Sequence, residues 1–289
     1  MENKNNVTEF VLGLTQNPQI QKIIFVVFLV VYIISVVGNV LTMFTTTASP
    51  LSGSPRYFFL AHLSLIDICY SSVNSPKLIA DSLHEKKTII FNGCMTQIFG
   101  EHFFGGAEVI LLTVMAYDCY VAICKPLHYI TIMNWQVCWV LMTVSWVGGF
   151  IHGIIQILFI FQLPFCGPNV IDHFMCDLNP LLKLACTDTH TLGFFVAVNS
   201  VFLYLLNSLL LMGFYVVILC TLRTHSLEGR RKVLSTCVSH VTVVILLLVP
   251  CLFKYLRSSV TLPIDKAVAV FYTLVTPMLN PLIFTLRNA

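Results

Sequence analysis

The residues of this sequence most able to do chemistry are the polar side chains that interrupt its long apolar stretches. They are Asp67, Glu101, His102 and Glu108, with the neutral companions Asn39 and Asn280. Ionisable groups inside such stretches are costly to bury, so by default they mark function. Glu101, Gly105 and Glu108 share one helical face through their i, i+4, i+7 spacing, and we expect that face to point into the protein.

Asp67 and Glu108 could share a cation or a proton, because two neighbouring carboxylates do not both ionise unaided. One interpretation is a sodium site, and the other is a neutral, protonated pair joined by hydrogen bonds. The residue types alone do not decide between these two interpretations. A sodium ion, acting as an allosteric ligand, is the only cofactor that the sequence suggests.

Catalytic motifs are not evident. The segment HEKK, at His84–Lys87, lacks the second histidine of a metalloprotease motif. We find no glycine-rich phosphate loop, and no serine has a plausible histidine and aspartate beside it. The sequence therefore predicts a protein that is not an enzyme.

The elements that position these side chains follow from composition. Of 289 residues, 57% are hydrophobic and 10% are charged, and the mean hydropathy is +0.86. Ordinary soluble domains carry about 25% charged residues, so we predict an integral membrane protein. Seven stretches are long enough to span a bilayer as helices: 23–48, 57–80, 95–124, 137–161, 191–221, 234–256 and 265–286. The predicted fold class is an all-α membrane protein, a seven-transmembrane helix bundle that forms a single domain over residues 1–289.

The orientation of the bundle rests mainly on two features. The sequon at Asn6 is useful only on the extracellular side. Four cysteines, Cys94, Cys166, Cys176 and Cys186, fall on one side and suggest two disulfides in an oxidising compartment. We therefore predict a plasma-membrane protein with residues 1–22 extracellular, a long extracellular loop at 162–190, and a cytoplasmic tail that starts at 287–289. No signal peptide is expected.

Two other interpretations of the loop cysteines remain. They could be independent thiols, or they could bind zinc or copper together with His173. The ten-residue gaps between these cysteines are not typical of a metal knuckle, so no metal other than sodium is predicted.

Several segments together resemble the olfactory receptors, which are rhodopsin-like (class A) G-protein-coupled receptors. They are GN (Gly38–Asn39), SPRYFFLAHLSLIDICYSS (Ser54–Ser72), MAYDCYVAICKPLHY (Met115–Tyr129), LSTCVSHVTVV (Leu234–Val244) and PMLNPLIF (Pro277–Phe284). They occur in the family's order and spacing along the whole chain. The resemblance implies a receptor that binds a small volatile odorant and activates a heterotrimeric G protein of the stimulatory or olfactory type. Membrane lipid is the other expected partner, and nucleic acid is not expected.

The resemblance also implies roles for particular residues. It pairs Cys94 with Cys176 and Cys166 with Cys186, and it places Asn39 and Asn280 beside the Asp67–Glu108 cation site. The implied odorant pocket lies between the outer halves of helices three, five, six and seven, at Glu101, His102, Gly105, Gly106, Asn199, Leu203, Cys251, Lys254, Tyr255 and Tyr272.

Two questions about this pocket stay open. The two glycines could leave volume for a ligand or could allow close helix packing. Lys254 could pair with Glu101 and recognise a polar odorant, or it could extend to the lipid headgroups.

The resemblance assigns a switch at the cytoplasmic ends of the helices to Asp118, Cys119, Tyr120, Tyr215 and His240. Relatives have arginine after the aspartate, whereas this chain has Cys119, and a thiol cannot replace a guanidinium. Arg56 stands where an apolar residue is expected. We therefore expect weakened coupling to the G protein.

A transporter or channel that uses Asp67, Glu101 and Glu108 as an ion path is the alternative function. It would predict inverted repeats, and no repeat is seen along the chain.

Overall fold

The computed structural model describes residues 9–12, 18–48, 53–84, 87–158, 160–165, 169–171, 173–222, 238, 240–251 and 263–285. Four of the predicted site residues lie outside these residues: Asn6 of the sequon, Cys166, Lys254 and Tyr255. The predicted cytoplasmic tail at 287–289 also lies outside them.

Seven helices of twelve or more residues follow one another in the described part of the chain, besides the short helices Tyr129–Ile132 and Leu178–Leu182. They are α1 (Pro18–Ala48), α2 (Pro55–Asp81), α3 (Phe91–Cys124), α4 (Trp135–Leu158), α5 (His190–Leu222), α6 (His240–Cys251) and α7 (263–285). Each falls on one of the predicted spans. Within the described residues, α1, α3, α4 and α5 are long and apolar enough to cross a membrane, and shorter apolar helices occur in α6 and α7.

Proline sets the boundaries of two helices. Ser54 is extended and precedes Pro55 at the first turn of α2, where the missing N–H of proline costs nothing. At the other boundary, α3 ends at Cys124, and Pro126 begins a short 3₁₀ turn that leads into the short helix Tyr129–Ile132.

Proline also shapes α7. Its first part, Pro263–Val270, is followed by a π-helical segment at Phe271–Val275 and then by Thr276–Thr285. The wider turn lies just before Pro277, whose ring cannot donate to the preceding turn. The Thr276 hydroxyl instead reaches the Phe271 carbonyl at 3.4 Å.

The helix α3 is the centre of the bundle, and it packs against α2, α4 and α5, while α1 packs against α2 and α7. Glycines bring α3 and α4 close together. A Cβ at Gly149 would lie 2.5 Å from the Phe103 carbonyl oxygen and 2.7 Å from the Ala107 nitrogen. Small residues at crossing points let membrane helices pack in this way.

A small three-stranded sheet covers one end of the bundle, which we call the sheet end. The strands are β1 (Glu9–Leu12), β2 (Thr88–Ile90) and β3 (Val170–Ile171), in the order β2-β1-β3, with β1 antiparallel to β2 and parallel to β3. Phe10 on β1 is fully buried. The sequence interpretation, which was all-helical, missed this sheet. We call the opposite end of the bundle the far end.

Candidate ligand and switch sites

A polar cluster joins four helices on the sheet-end side of the bundle interior. The Tyr272 hydroxyl on α7 donates a 2.9 Å hydrogen bond to Oε1 of Glu101 on α3, and both residues are buried. Tyr70 on α2 interacts electrostatically with Glu101, Tyr272 and, on α6, Cys251. Three residues from the predicted pocket are therefore close together. Tyr70 joins them although the sequence interpretation did not name it.

The two neighbouring glycines of α3 have different surroundings. A Cβ at Gly106 would lie 3.2 Å from the Gly149 Cα and 3.3 Å from the His152 ring, so Gly106 serves helix packing. The atoms nearest to a Cβ at Gly105 would be the Tyr70 and Tyr204 hydroxyls and the Tyr70 ring, at 3.7 to 3.8 Å. Gly105 therefore faces two polar hydroxyls with ordinary van der Waals clearance.

A second polar group links α3, α4 and α5. The rings of His102 and His152 have centroids 5.5 Å apart, and Nδ1 of His152 lies 3.1 Å from the Asn199 side-chain nitrogen. Since an amide nitrogen can only donate, this histidine nitrogen is the acceptor. One turn along α4, Gln156 donates to the Ser200 hydroxyl at 2.6 Å.

Sequence reasoning named His102 and Asn199 but missed His152 and Gln156. Both missed residues are buried polar groups in an apolar span, and their i, i+4 spacing was the available signal. Nε2 of His152 and Oε1 of Gln156 have no hydrogen-bond partner among the described residues. Two polar atoms are thus left for a molecule that enters this region.

Leu203 is half-buried on α5, and its carbonyl accepts a 2.8 Å hydrogen bond from Asn207. Asn207 in turn accepts from Thr113 of α3 at 2.8 Å. This contact ties the two helices together and assigns no polar role to the Leu203 side chain.

The predicted carboxylate pair meets at one amide. Nδ2 of Asn280 lies 2.9 and 3.1 Å from the two carboxyl oxygens of Asp67 and 3.2 Å from Oε1 of Glu108. Asp67 and Glu108 are each fully buried. Since two buried negative charges repel each other strongly, this group needs a proton or a cation.

Oxygen atoms around this pair fit a small hard cation. Oε2 of Glu108 and the side-chain oxygen of Asn280 are buried and have no hydrogen-bond donor among the described residues. Carboxylate and amide oxygens are ligands that hard cations prefer. Asn39, however, donates to the carbonyls of Ser35 and Pro277, both at 2.9 Å, so its amide ties α1 to α7 rather than to the carboxylates.

Three of the four cysteines predicted to form disulfides are disulfide-bonded in the described residues. Cys94, at the start of α3, is bonded to Cys176, as the resemblance implied. Cys186 is also disulfide-bonded, and its predicted partner Cys166 lies outside the described residues. Cys176 is therefore not a thiolate ligand, and no group of three possible metal ligands occurs among the described residues.

At the far end, Asp118 is hydrogen-bonded to a residue of the short helix that follows α3. The Tyr129 hydroxyl donates a 2.8 Å hydrogen bond to Oδ1 of Asp118. Burial raises the pKa of Tyr129, and the Asp118 carboxylate raises it further, so the hydroxyl remains a donor. Cys119 is half-buried and is not in a disulfide.

The other switch residues face α5 and α6. Tyr120 packs on Phe214 of α5, with ring centroids 5.7 Å apart. The Tyr215 hydroxyl of α5 makes a hydrogen bond with Nδ1 of His240 on α6, and both residues are buried. The predicted switch residues thus form two contacts, Asp118–Tyr129 and Tyr215–His240, with Tyr120 beside them.

Comparison with known proteins identifies the family. The family model described as Olfactory receptor matches residues 28–289. The chain belongs to the olfactory receptor family. It is 59% identical over its whole length to human olfactory receptor 4A47, covering 94% of that protein. It is also 58% identical over its whole length to human olfactory receptor 4B1 and to mouse olfactory receptor 4B13, covering 94% and 95% of them.

Membership in the family confirms three predictions. The fold is that of a seven-transmembrane class A receptor, the protein is a multi-pass membrane protein, and it is a receptor rather than an enzyme. An odorant and a G protein are the partners that the olfactory receptor family implies.

Proposed function

We propose that this olfactory receptor binds a small volatile odorant in the sheet-end interior and activates a G protein of the stimulatory or olfactory type. The observation that carries the proposal is the polar group around Gly105. It combines the Glu101–Tyr272 hydrogen bond with the Tyr70 and Tyr204 hydroxyls, inside a largely apolar bundle. Ligand sites between helices are typically apolar with a few placed polar groups.

The second polar group extends this pocket towards α4. The unpartnered atoms of His152 and Gln156 lie beside the Asn199 and His102 side chains that the sequence assigned to the ligand. An odorant with one oxygen could occupy a hydrogen bond here while its hydrocarbon part contacts apolar side chains. Lys254 and Tyr255 remain predicted members of the pocket.

The sheet end is the extracellular end in this proposal. The support is the oxidised state of Cys94 and Cys176, which is typical of proteins exposed to an oxidising compartment. The sequon at Asn6 would then be glycosylated. The far end, with Asp118, Cys119, Tyr120, Tyr215 and His240, would face the cytoplasm and the G protein.

Signalling follows from a two-state equilibrium. An odorant that prefers the active arrangement shifts the receptor only as far as its differential affinity allows. The helix α6, which contains Pro250, would pivot and break the contact between Tyr215 and His240. Sodium at Asp67, Glu108 and Asn280 would act as an allosteric ligand that favours the resting arrangement.

A cAMP assay over a broad odorant panel tests this function. Cells that express the receptor with a stimulatory-type Gα should respond to at least one odorant, and cells that lack that Gα should not. The matched variants are Gly105→Leu, which fills the space before the tyrosine hydroxyls, and Gly213→Leu, whose Cβ position on α5 has no neighbour within 4 Å. The proposal expects loss of response only at position 105. Equal loss in both variants, or silence of both the native receptor and its Cys119→Arg variant, would contradict it.

A further inference from the structure

The Asp118 carboxylate is short of partners. It is only 3% exposed, and among the described residues its one hydrogen-bond donor is the neutral Tyr129 hydroxyl. The next residue of α3 is Cys119, which carries no positive charge. A buried carboxylate needs a counter-charge or more donors to offset the hydration that it loses.

The first turn of α2 lies next to this carboxylate. Gly53, Ser54 and Pro55 line a cleft of about 460 Å³, and Tyr129 lines the same cleft. The hydroxyl of Tyr129 in turn contacts Asp118. The Tyr129 side chain therefore contacts the carboxylate and borders the same cleft as the start of α2.

Arg56 immediately follows Pro55 on that turn. It is half-buried, and its charge interacts electrostatically with Asp118 on α3 and with His240 on α6. It makes no ion-pair contact with Asp118, so the interaction acts through space. Arg56 thus lies within electrostatic range of Asp118 on α3 and of His240 on α6 at the far end.

We propose that Arg56 is a positioning residue that supplies the counter-charge of Asp118 from α2, in place of the absent cation on α3. The geometry favours this role, since the start of α2, Tyr129 and Asp118 form a continuous series of neighbours. Arginine suits it because the guanidinium stays charged at every relevant pH and its long side chain can span the remaining gap.

This arrangement has a consequence for the switch. A cation on α3 could leave the carboxylate and meet a partner protein while staying on the same helix. A cation on α2 holds Asp118 against the neighbouring helix and leaves α3 without a cation next to Asp118. Arg56 therefore stabilises the resting arrangement. This role goes beyond the proposed function, because the effect of Arg56 on stability needs neither odorant nor G protein.

The competing role for Arg56 is attraction to anionic lipid headgroups, which its position near a helix end would also allow. The two roles differ in one respect. A counter-charge for Asp118 matters only while Asp118 is charged, whereas a lipid contact is indifferent to that residue.

A double-mutant cycle on the full-length receptor separates them. The apparent Tm in detergent would be measured for the native chain, Arg56→Met, Asp118→Asn and the double variant. We expect Arg56→Met to lower the Tm by about 2–4 °C in the native background and to have no effect in the Asp118→Asn background. Equal shifts in both backgrounds, or no shift in either, would overturn the proposal.

Further variants test whether the charge of Arg56 causes the change in Tm. Arg56→Lys keeps the charge and should restore most of the Tm, whereas Arg56→Gln keeps a polar head without charge and should behave like Arg56→Met. In the Cys119→Arg background, which returns a cation to α3, Arg56→Met should cost less than it does in the native chain. An undiminished cost there, or equal behaviour of Lys and Gln, would also contradict the inference.

Discussion

Tyr272 donates a hydrogen bond to Glu101 across the bundle interior, and this contact joins α7 to α3 at 2.9 Å. A buried carboxyl that loses a donor keeps its desolvation cost, which is about 1–3 kcal/mol for an unsatisfied group. The contact therefore fixes the spacing of two helices that border the proposed odorant pocket.

Tyr272→Phe should accordingly destabilise the receptor by about 1–3 kcal/mol and weaken its response to oxygen-containing odorants. The measurements are the apparent Tm of the purified receptor and the half-maximal odorant concentration in a cAMP assay. Tyr117→Phe is the control, because the Tyr117 hydroxyl makes no hydrogen bond to a described residue. A similar loss in both variants would show that the Glu101 contact is not responsible.

Gly149→Ala tests the close approach of α3 and α4. The added Cβ would lie within 2.7 Å of two backbone atoms of α3, so the helices must separate. We expect a loss of about 1–3 kcal/mol, the usual cost of overpacking, measured as a lower Tm and reduced surface expression. Gly213→Ala, in the open position on α5, should be neutral or slightly stabilising because alanine favours helix. Tolerance of alanine at position 149 would contradict the packing.

The cation site predicts a sodium effect on stability. If sodium binds at Asp67, Glu108 and Asn280, replacing choline chloride by sodium chloride should raise the Tm of the native receptor. At ten times the Kd the gain is about 1.4 kcal/mol. Asp67→Asn should abolish the effect, while Asp81→Asn, at the end of the same helix and paired with Lys77, should retain it. A native receptor that is insensitive to sodium would favour the neutral, protonated pair.

The Cys94–Cys176 disulfide should be essential for the stability of the sheet end. Its removal by Cys94→Ser is expected to cost about 2–5 kcal/mol and to reduce the amount of receptor at the cell surface. Flow cytometry with a tagged receptor measures this quantity. Cys220→Ser, at an exposed thiol on α5, is the matched control, and its surface level should stay near that of the native chain. Normal surface levels of Cys94→Ser would contradict the prediction.

The parts of this molecule that hydropathy governs were predictable from the sequence. The helices α2 and α5 begin and end within two residues of the predicted spans, because a bilayer demands apolar segments of fixed length. The meeting of Asp67 and Glu108 was predictable as well, since polar groups in apolar spans must turn inwards, and the place of Asn280 beside them followed from the family resemblance.

Other features depend on contacts between segments that are distant in the sequence, and no local sequence pattern predicts them. The sheet joins three short segments that are unremarkable in isolation, at Phe10, Ile89 and Ile171. The role of Gly106 depends on what α4 places opposite it. His152 and Gln156 did have a local signal, and the sequence interpretation passed over it.

The pairing of Val11 with Val170 means that the sheet at one end of this receptor is assembled from the earliest and middle parts of the polypeptide. The ribosome releases β1 first, yet its parallel neighbour exists only after four helices have been made. Such long-range pairing forms late, because the chain entropy lost in closing the loop is recovered only once the contact is in place. Until then one edge of β1 has no partner strand. A receptor whose synthesis stops midway therefore exposes an unpaired strand edge that the mature receptor does not have.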